Sequence, residues 1–236
     1  MKIKFSYNFN KEAENWYNIA SFKKDTYGIP YKETVIPISK DILKYILAHN
    51  KKNSITYIEK FLRSDPRREL KNIFIQQKIR SLEKIWSELG DKLIFALNQV
   101  TGKQLINQEY TAYITNLFIC DYNYKKQYFF LSLHHSDALN FSVIAHELLH
   151  FITYDYFQAY CLKRGLSGAK FQDLKECLTV ILNSENFKNL LLIEDIGYKT
   201  HTKLRTLLLQ KYSEGLSFKD LIDLGIAYLL KEERRR

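Results

Sequence analysis

The chain has 236 residues, 46% of them hydrophobic, and 36 Lys and Arg against 26 Asp and Glu give it a formal charge of +10. That length and apolar content predict a folded globular protein with one sizeable domain or two small ones. No run reaches the roughly 18 uncharged apolar residues of a membrane span, and MKIKFSYNFN lacks the apolar stretch of a signal peptide, so the expected setting is the cytoplasm. Cys120, Cys161 and Cys177 are widely spaced with no CxxC pair, which excludes an obvious disulfide framework or thiolate metal site and leaves reduced packing residues.

Residues 2 to 9 (KIKFSYNF) alternate with the period of a strand, and TVIPI at 34 to 38 reads as a short extended segment in which Pro37 favours an edge. From Ser39, a candidate N-cap, the pattern becomes helical through DILKYILAHN, SITYIEKFL and a basic amphipathic stretch from Pro66 to about Leu89. Residues 1–100 are therefore expected to form a mostly helical region with an initial strand, packed on a core of residues 101–236. Between residues 51 and 84, ten Lys/Arg face four acids. Such a surplus admits a nucleic-acid partner, but no nucleic-acid motif accompanies it, and a solvated helical face is the favoured reading.

After Thr101-Gly102, EYTAYITNLFIC (109 to 120) and QYFFLSL (127 to 133) are rich in Tyr, Phe, Ile and Thr and flank a polar DYNYKK turn, the pattern of an antiparallel hairpin. A helix from about Ala138 to Phe157 follows, broken at Gly165 to Gly168, then one over Lys170 to Asn183. Further helices are expected near 185–193, 200–212 and 218–231, the last with a capping box formed by Ser217 and Asp220.

Chemistry concentrates in VIAHELLHFI, residues 143 to 152. At 100° per residue His146 and His150 project within about 40° of each other, so both imidazoles can reach one metal ion. Glu147 lies on the adjacent flank, able to touch the metal's water without ligating the metal. The helix is apolar nearly all round, and burying two imidazoles and a carboxylate without partners costs several kcal/mol. A bound zinc ion removes that cost. By chance, HExxH arises in about one chain of this length in a hundred or two, and here its flanks carry neither charge nor proline.

A catalytic zinc keeps one position open and takes three protein ligands. No His follows six residues after His150; position 156 is Tyr and the next His is His201. The helix KFQDLKECLTVILN offers a carboxylate instead. Its core stripe is Leu174, Cys177, Leu178 and Ile181, while Asp173, Glu176, Thr179 and Asn183 form a polar row. Glu176 is the chosen third ligand with Asp173 as the alternative, and Asp173 or Asn183 is a candidate to hold a histidine through its second ring nitrogen.

These features resemble the gluzincin group of zinc metallopeptidases, which carry HExxH on one helix and a ligating Glu on the next. HELLHFITYDYF, KECLTVILN and DIGYKTHTKLR are similar, more closely, to small bacterial proteins read as zinc-dependent peptidases. The resemblance covers residues 109 to 212. It implies an α+β fold with a zincin-like core, a small sheet packed on the active-site helix, with QYFFLSL as the edge strand to which a peptide or protein substrate would add. It implies one Zn²⁺ per chain, Glu147 as general base, and a Tyr or His after the third ligand to stabilise the developing oxyanion. Tyr198 and His201 are the candidates, with Glu194 or Asp195 to orient the imidazole. The competing expectation is a catalytically silent or latent zincin-fold protein that binds rather than cleaves. His49 reads as a favourable charge at a helix end, and His134 and His135 as substrate contacts or loop packing.

Overall fold

The computed structural model describes residues 1–21, 39–119 and 121–233. It is an α+β protein with a small mixed sheet, and it divides into two compact units. One comprises Met1–Ser87 with Glu109–Asn140, the other Glu88–Gln108 with Phe141–Arg236. All four strands thus fall in the unit of the N-terminal helices, and His146, His150 and Glu176 fall in the other.

In the first unit β1 (Lys2–Ser6), β2 (Glu109–Thr115), β3 (Tyr122–Asn123) and β4 (Tyr128–Ser132) stand in the order β1-β2-β4-β3. β1 pairs with β2 in parallel, β2 with β4 in parallel, and β3 with β4 antiparallel. The expected hairpin of 109–120 with 127–133 is therefore not formed. The antiparallel place beside β4 is taken by β3 instead, and β2 ends at Thr115, where the next N–H, that of Asn116, donates to Glu12 Oε1 at 2.8 Å rather than continuing the ladder. The chain then descends through Asp121, whose carbonyl accepts from Phe130 N at 2.9 Å, and the polar turn joins β3 to β4. As a result β4 is interior to the sheet over its first residues rather than an edge, and all five of its residues are buried.

Helix α1 (Phe9–Ser21), unforeseen in the sequence, packs against α2 (Lys40–Ala48), α3 (Lys51–Ser64) and β2. Trp16, Ile19, Ile42, Ile46, Ile58, Leu62 and Leu117 form the core there. Ser39 caps α2 as expected, accepting from Ile42 N, and TVIPI lies outside the described residues. Helix α4 (Arg68–Thr101) continues well past Leu89 and ends where Gly102 takes a left-handed φ of 63°.

In the second unit α5 (Asp137–Lys163) contributes Phe141–Lys163. Ile144, Ala145, Leu148, Leu149, Phe151 and Ile152 are all at most 1% exposed, as an all-round apolar helix requires. Helix α6 (Gly168–Leu178) tightens into a 3₁₀ turn over Thr179–Asn183, and α7 (Thr202–Ser213) and α8 (Phe218–Glu233) pack against it. The Ser217–Asp220 capping box at α8 is present, with Ser217 N donating to Asp220 Oδ2 and Asp220 N to Ser217 Oγ. The helix expected at 185–193 is replaced by turns and an irregular segment. Asn183 is one reason: its amide accepts from Asp195 N at 2.7 Å and donates to Asp195 O at 3.0 Å, bending the chain back on itself.

Candidate metal centre

Helix α5 presents His146 and His150 one turn apart, their rings 4.2 Å between centroids. Helix α6 brings up Glu176, with Oε2 3.5 Å from His146 Nε2 and Oε1 3.2 Å from His150 Nε2. Among the described residues these three form a group that could hold a metal ion, each offering one ligand atom within 4.8 Å of the others. The fit is chemical as well as spatial. Tetrahedral zinc with bonds of about 2.0–2.1 Å places neighbouring ligand atoms about 3.3 Å apart, close to the two N–O separations found.

His146 has its second nitrogen engaged: Nδ1 donates to Asp195 Oδ2 at 2.5 Å, which leaves Nε2 facing Glu176. A carboxylate behind a ligating imidazole fixes its tautomer and raises its basicity. Asp195 is itself gripped by Thr179 Oγ1 at 2.9 Å and by the buried Arg205, whose guanidinium reaches Asp195 Oδ1 at 2.6 Å and its carbonyl at 2.5 Å. Arg205 also donates to Thr179 Oγ1 and to the carbonyl of Glu176. The polar row of α6 and its 3₁₀ extension thus works as a unit: Glu176 faces the histidines, while Thr179 and Asn183 hold the Asp195 segment. A further tie comes from Ser142 Oγ, one turn before His146, to the carbonyl of Ile193 at 2.9 Å.

The remaining sequence candidates take different places. Asp173 pairs with Lys170 at 3.0 Å and lies 3.4 Å from His201 Nε2. Of Glu194 and Asp195, the two candidates to orient His201, Asp195 serves His146 instead, and Asp173 is the carboxylate beside His201. Tyr198 packs edge-on against His201, 5.6 Å between centroids. Both therefore lie beside α6, about one turn ahead of Glu176. Glu147 is 4% exposed, Glu194 is exposed, and Asn183 acts one step out, through Asp195. His134 stacks on Phe118 in the first unit, and His49 sits at the end of α2 as expected, stacked on Tyr45.

The charges are arranged asymmetrically. Burial and the charge of Lys175 push His150 down to about 3, so its imidazole is neutral and has a lone pair to give. Burial opposes charging His146 too, but Asp195, Glu176 and Glu147 outweigh it and raise His146 to about 10. Burial would raise Glu176 and Asp195; the neighbouring positive groups and hydrogen bonds instead hold both well below the usual carboxylate range. In the metal-free protein the raised His146 stabilises the fold fully below its unfolded value near 6.5, and that contribution is lost as pH rises through about 10. The chelator-treated protein should therefore melt at a lower temperature at pH 10 than at pH 6. A metal ion held at this centre would replace the proton on His146, so metal-loaded protein should lack this decline, as paired thermal melts would show.

A cleft of about 1090 Å³ is lined by Asn183, Glu194, Asp195, Ile196, Arg205 and Tyr212, among others, but by none of the three ligand residues. It backs onto the Asp195 support rather than onto the ligands. No family model matches the chain, and neither a curated protein nor a solved structure matches it significantly.

Proposed function

We propose that the protein is a zinc-dependent peptidase of the gluzincin type, with a zincin-like core. The observation that carries this reading is the convergence of His146, His150 and Glu176 from two helices, with Asp195 behind His146 and an acid, Glu147, adjoining that histidine in sequence. A purely structural zinc site has no use for that acid. Zinc held by the three ligands would polarise a scissile carbonyl and acidify a water. Glu147, buried beside His146, takes the proton from the attacking water and passes it to the leaving nitrogen. Asp195 keeps His146 in the tautomer that points Nε2 inward. Tyr198 or His201, on the segment after the third ligand, donates to the developing oxyanion. The substrate is a peptide or protein. No helix among the described residues is long and apolar enough to cross a membrane.

The test is Glu147→Gln. It should retain one zinc per chain and lose about 10²–10⁴-fold in peptide cleavage, the range for a general acid-base group. Wild-type protein that binds zinc but cleaves nothing in a mixed peptide library would favour the catalytically silent alternative, and a fully active Gln variant would remove Glu147 from the reaction.

A further inference from the structure

Beside the ligands sits a side chain that a metal centre does not require. Lys175 has a side chain with 0% exposure, and its Nζ donates to Glu176 Oε1 at 2.5 Å. Taking an ammonium into the interior is costly unless a partner is well placed, and the surroundings here hold this one on both sides. Its Nζ lies 6.0 Å from the centroid of the Tyr154 ring, within reach of a cation–π attraction. Tyr154 is one turn beyond His150 on α5, and it is fixed in turn by an edge-on contact with Phe171 at 5.3 Å and by donating from its hydroxyl to Gln172 Oε1 at 2.9 Å. Lys175 is thus caged between an aromatic face and the carboxylate of the third ligand, with no path to solvent for its charged end.

The two oxygens of Glu176 are therefore not equivalent. Oε1 accepts from Lys175 and also lies 3.2 Å from His150 Nε2, whereas Oε2 has no contact with Lys175 and faces His146 Nε2 at 3.5 Å. We infer that Lys175 is a positioning residue that reserves one oxygen of Glu176, so that a metal at this centre is ligated by the other oxygen alone. This rests on the metal reading above and deepens it. A carboxylate free to bind through both oxygens would fill the position that a catalytic site keeps open for water or substrate. An amine hydrogen-bonded to one oxygen prevents that while remaining in place when the metal arrives.

The experiment uses the full chain loaded with Co²⁺, whose visible spectrum reports coordination number, and with Zn²⁺. Wild-type protein should show an intense four-coordinate cobalt band and one carboxylate oxygen in X-ray absorption of the zinc form. Lys175→Met, close in size and uncharged, should still bind metal but lose much of that band's intensity as Glu176 becomes bidentate, while Lys175→Arg, which retains a donor, should keep it. A direct reading on the wild type covers the case in which Lys175→Met does not fold. The exchange-protected ¹⁵N ammonium signal of Lys175, assigned by its loss in Lys175→Arg, should persist when zinc is added. Disappearance of that protection on loading, a bidentate carboxylate in the wild type, or an unchanged cobalt spectrum in Lys175→Met would each overturn the inference while leaving the metal centre standing. Failure of the wild type to bind either ion would overturn both.

Discussion

Glu176→Gln is expected to empty the metal centre: from one zinc per chain in the wild type to little or none after dialysis, measured by elemental analysis of the purified protein. The loss should exceed the roughly 10–100-fold weakening typical of removing a residue that merely supports a ligand. Glu176 contributes the one anionic donor among the three candidate ligands, and an amide carbonyl is a far weaker donor to a dication. The substitution has a second consequence. It leaves Lys175 buried against a neutral partner, and stranding one member of a buried ion pair costs on the order of 3–5 kcal/mol. Glu176→Gln combined with Lys175→Met separates the two effects, because it removes the stranded charge without restoring the ligand. The double variant should recover most of the melting temperature and still hold no metal. Unchanged zinc in folded Glu176→Gln would show that the third ligand lies elsewhere.

What the sequence revealed of this centre follows from how each residue makes its contacts. His146, Glu147 and His150 are legible because their relation is set within one helix, where spacing alone fixes the face. Glu176 is legible one step further, as a carboxylate in a polar row beside the apolar stripe of its helix. Asp195 is visible but misassigned. Chain order puts it next to Tyr198 and His201, whereas in space the segment runs back along α5, tied by Ser142 to Ile193, and delivers its carboxylate to His146. Lys175 and Arg205 are illegible for a general reason: Lys and Arg are almost always solvated, and their burial here depends on contacts from other elements, Tyr154 of α5 for Lys175 and Thr179 and Asp195 for Arg205. In Arg205 a hint exists, since it stands directly after Leu204 and three residues before Leu208, both buried in the same helix.

The fold shows the same division. Helices whose apolar stripe is local, α2, α3, α5 and α8, are readable from period and caps. Helix α1 is hidden because Glu12 and Asn15, both fully buried, interrupt its apolar face with polar residues whose partners, Asn116 and Thr115, lie about a hundred positions away. The same Glu12 takes up the N–H of Asn116 just past the end of β2, so one carboxylate ties together two places about a hundred positions apart that no short-range pattern links.

Arg205→Leu should destabilise the protein strongly although it lies outside the candidate ligands. Arg205 is 4% exposed, and its guanidinium makes four hydrogen bonds: two to Asp195, one to Thr179 and one to the carbonyl of Glu176. Gly197 packs directly against it, since a Cβ at that position would come within 2.5 Å of Arg205 Cζ, and its φ of 64° is one that side chains rarely adopt. Removing the cation leaves Asp195 buried with His146 as its remaining positive neighbour, at a cost on the order of 3–5 kcal/mol. In a chain of this size that corresponds to a fall of roughly 6–20 °C in melting temperature. The centre should suffer separately, because an Asp195 no longer held by Arg205 stops fixing the tautomer of His146, and metal affinity should drop about 10–100-fold. Adding Asp195→Asn tests the assignment, since it neutralises the stranded carboxylate and should restore stability, yet it cannot orient His146 as a carboxylate does and should leave metal binding weak. Gly197→Ala should reproduce both effects in milder form by displacing the guanidinium. If Arg205→Leu kept its melting temperature and its metal, Asp195 would have to be held sufficiently by Thr179 and by the Asn183 clamp on its backbone, and the cation would be a passenger.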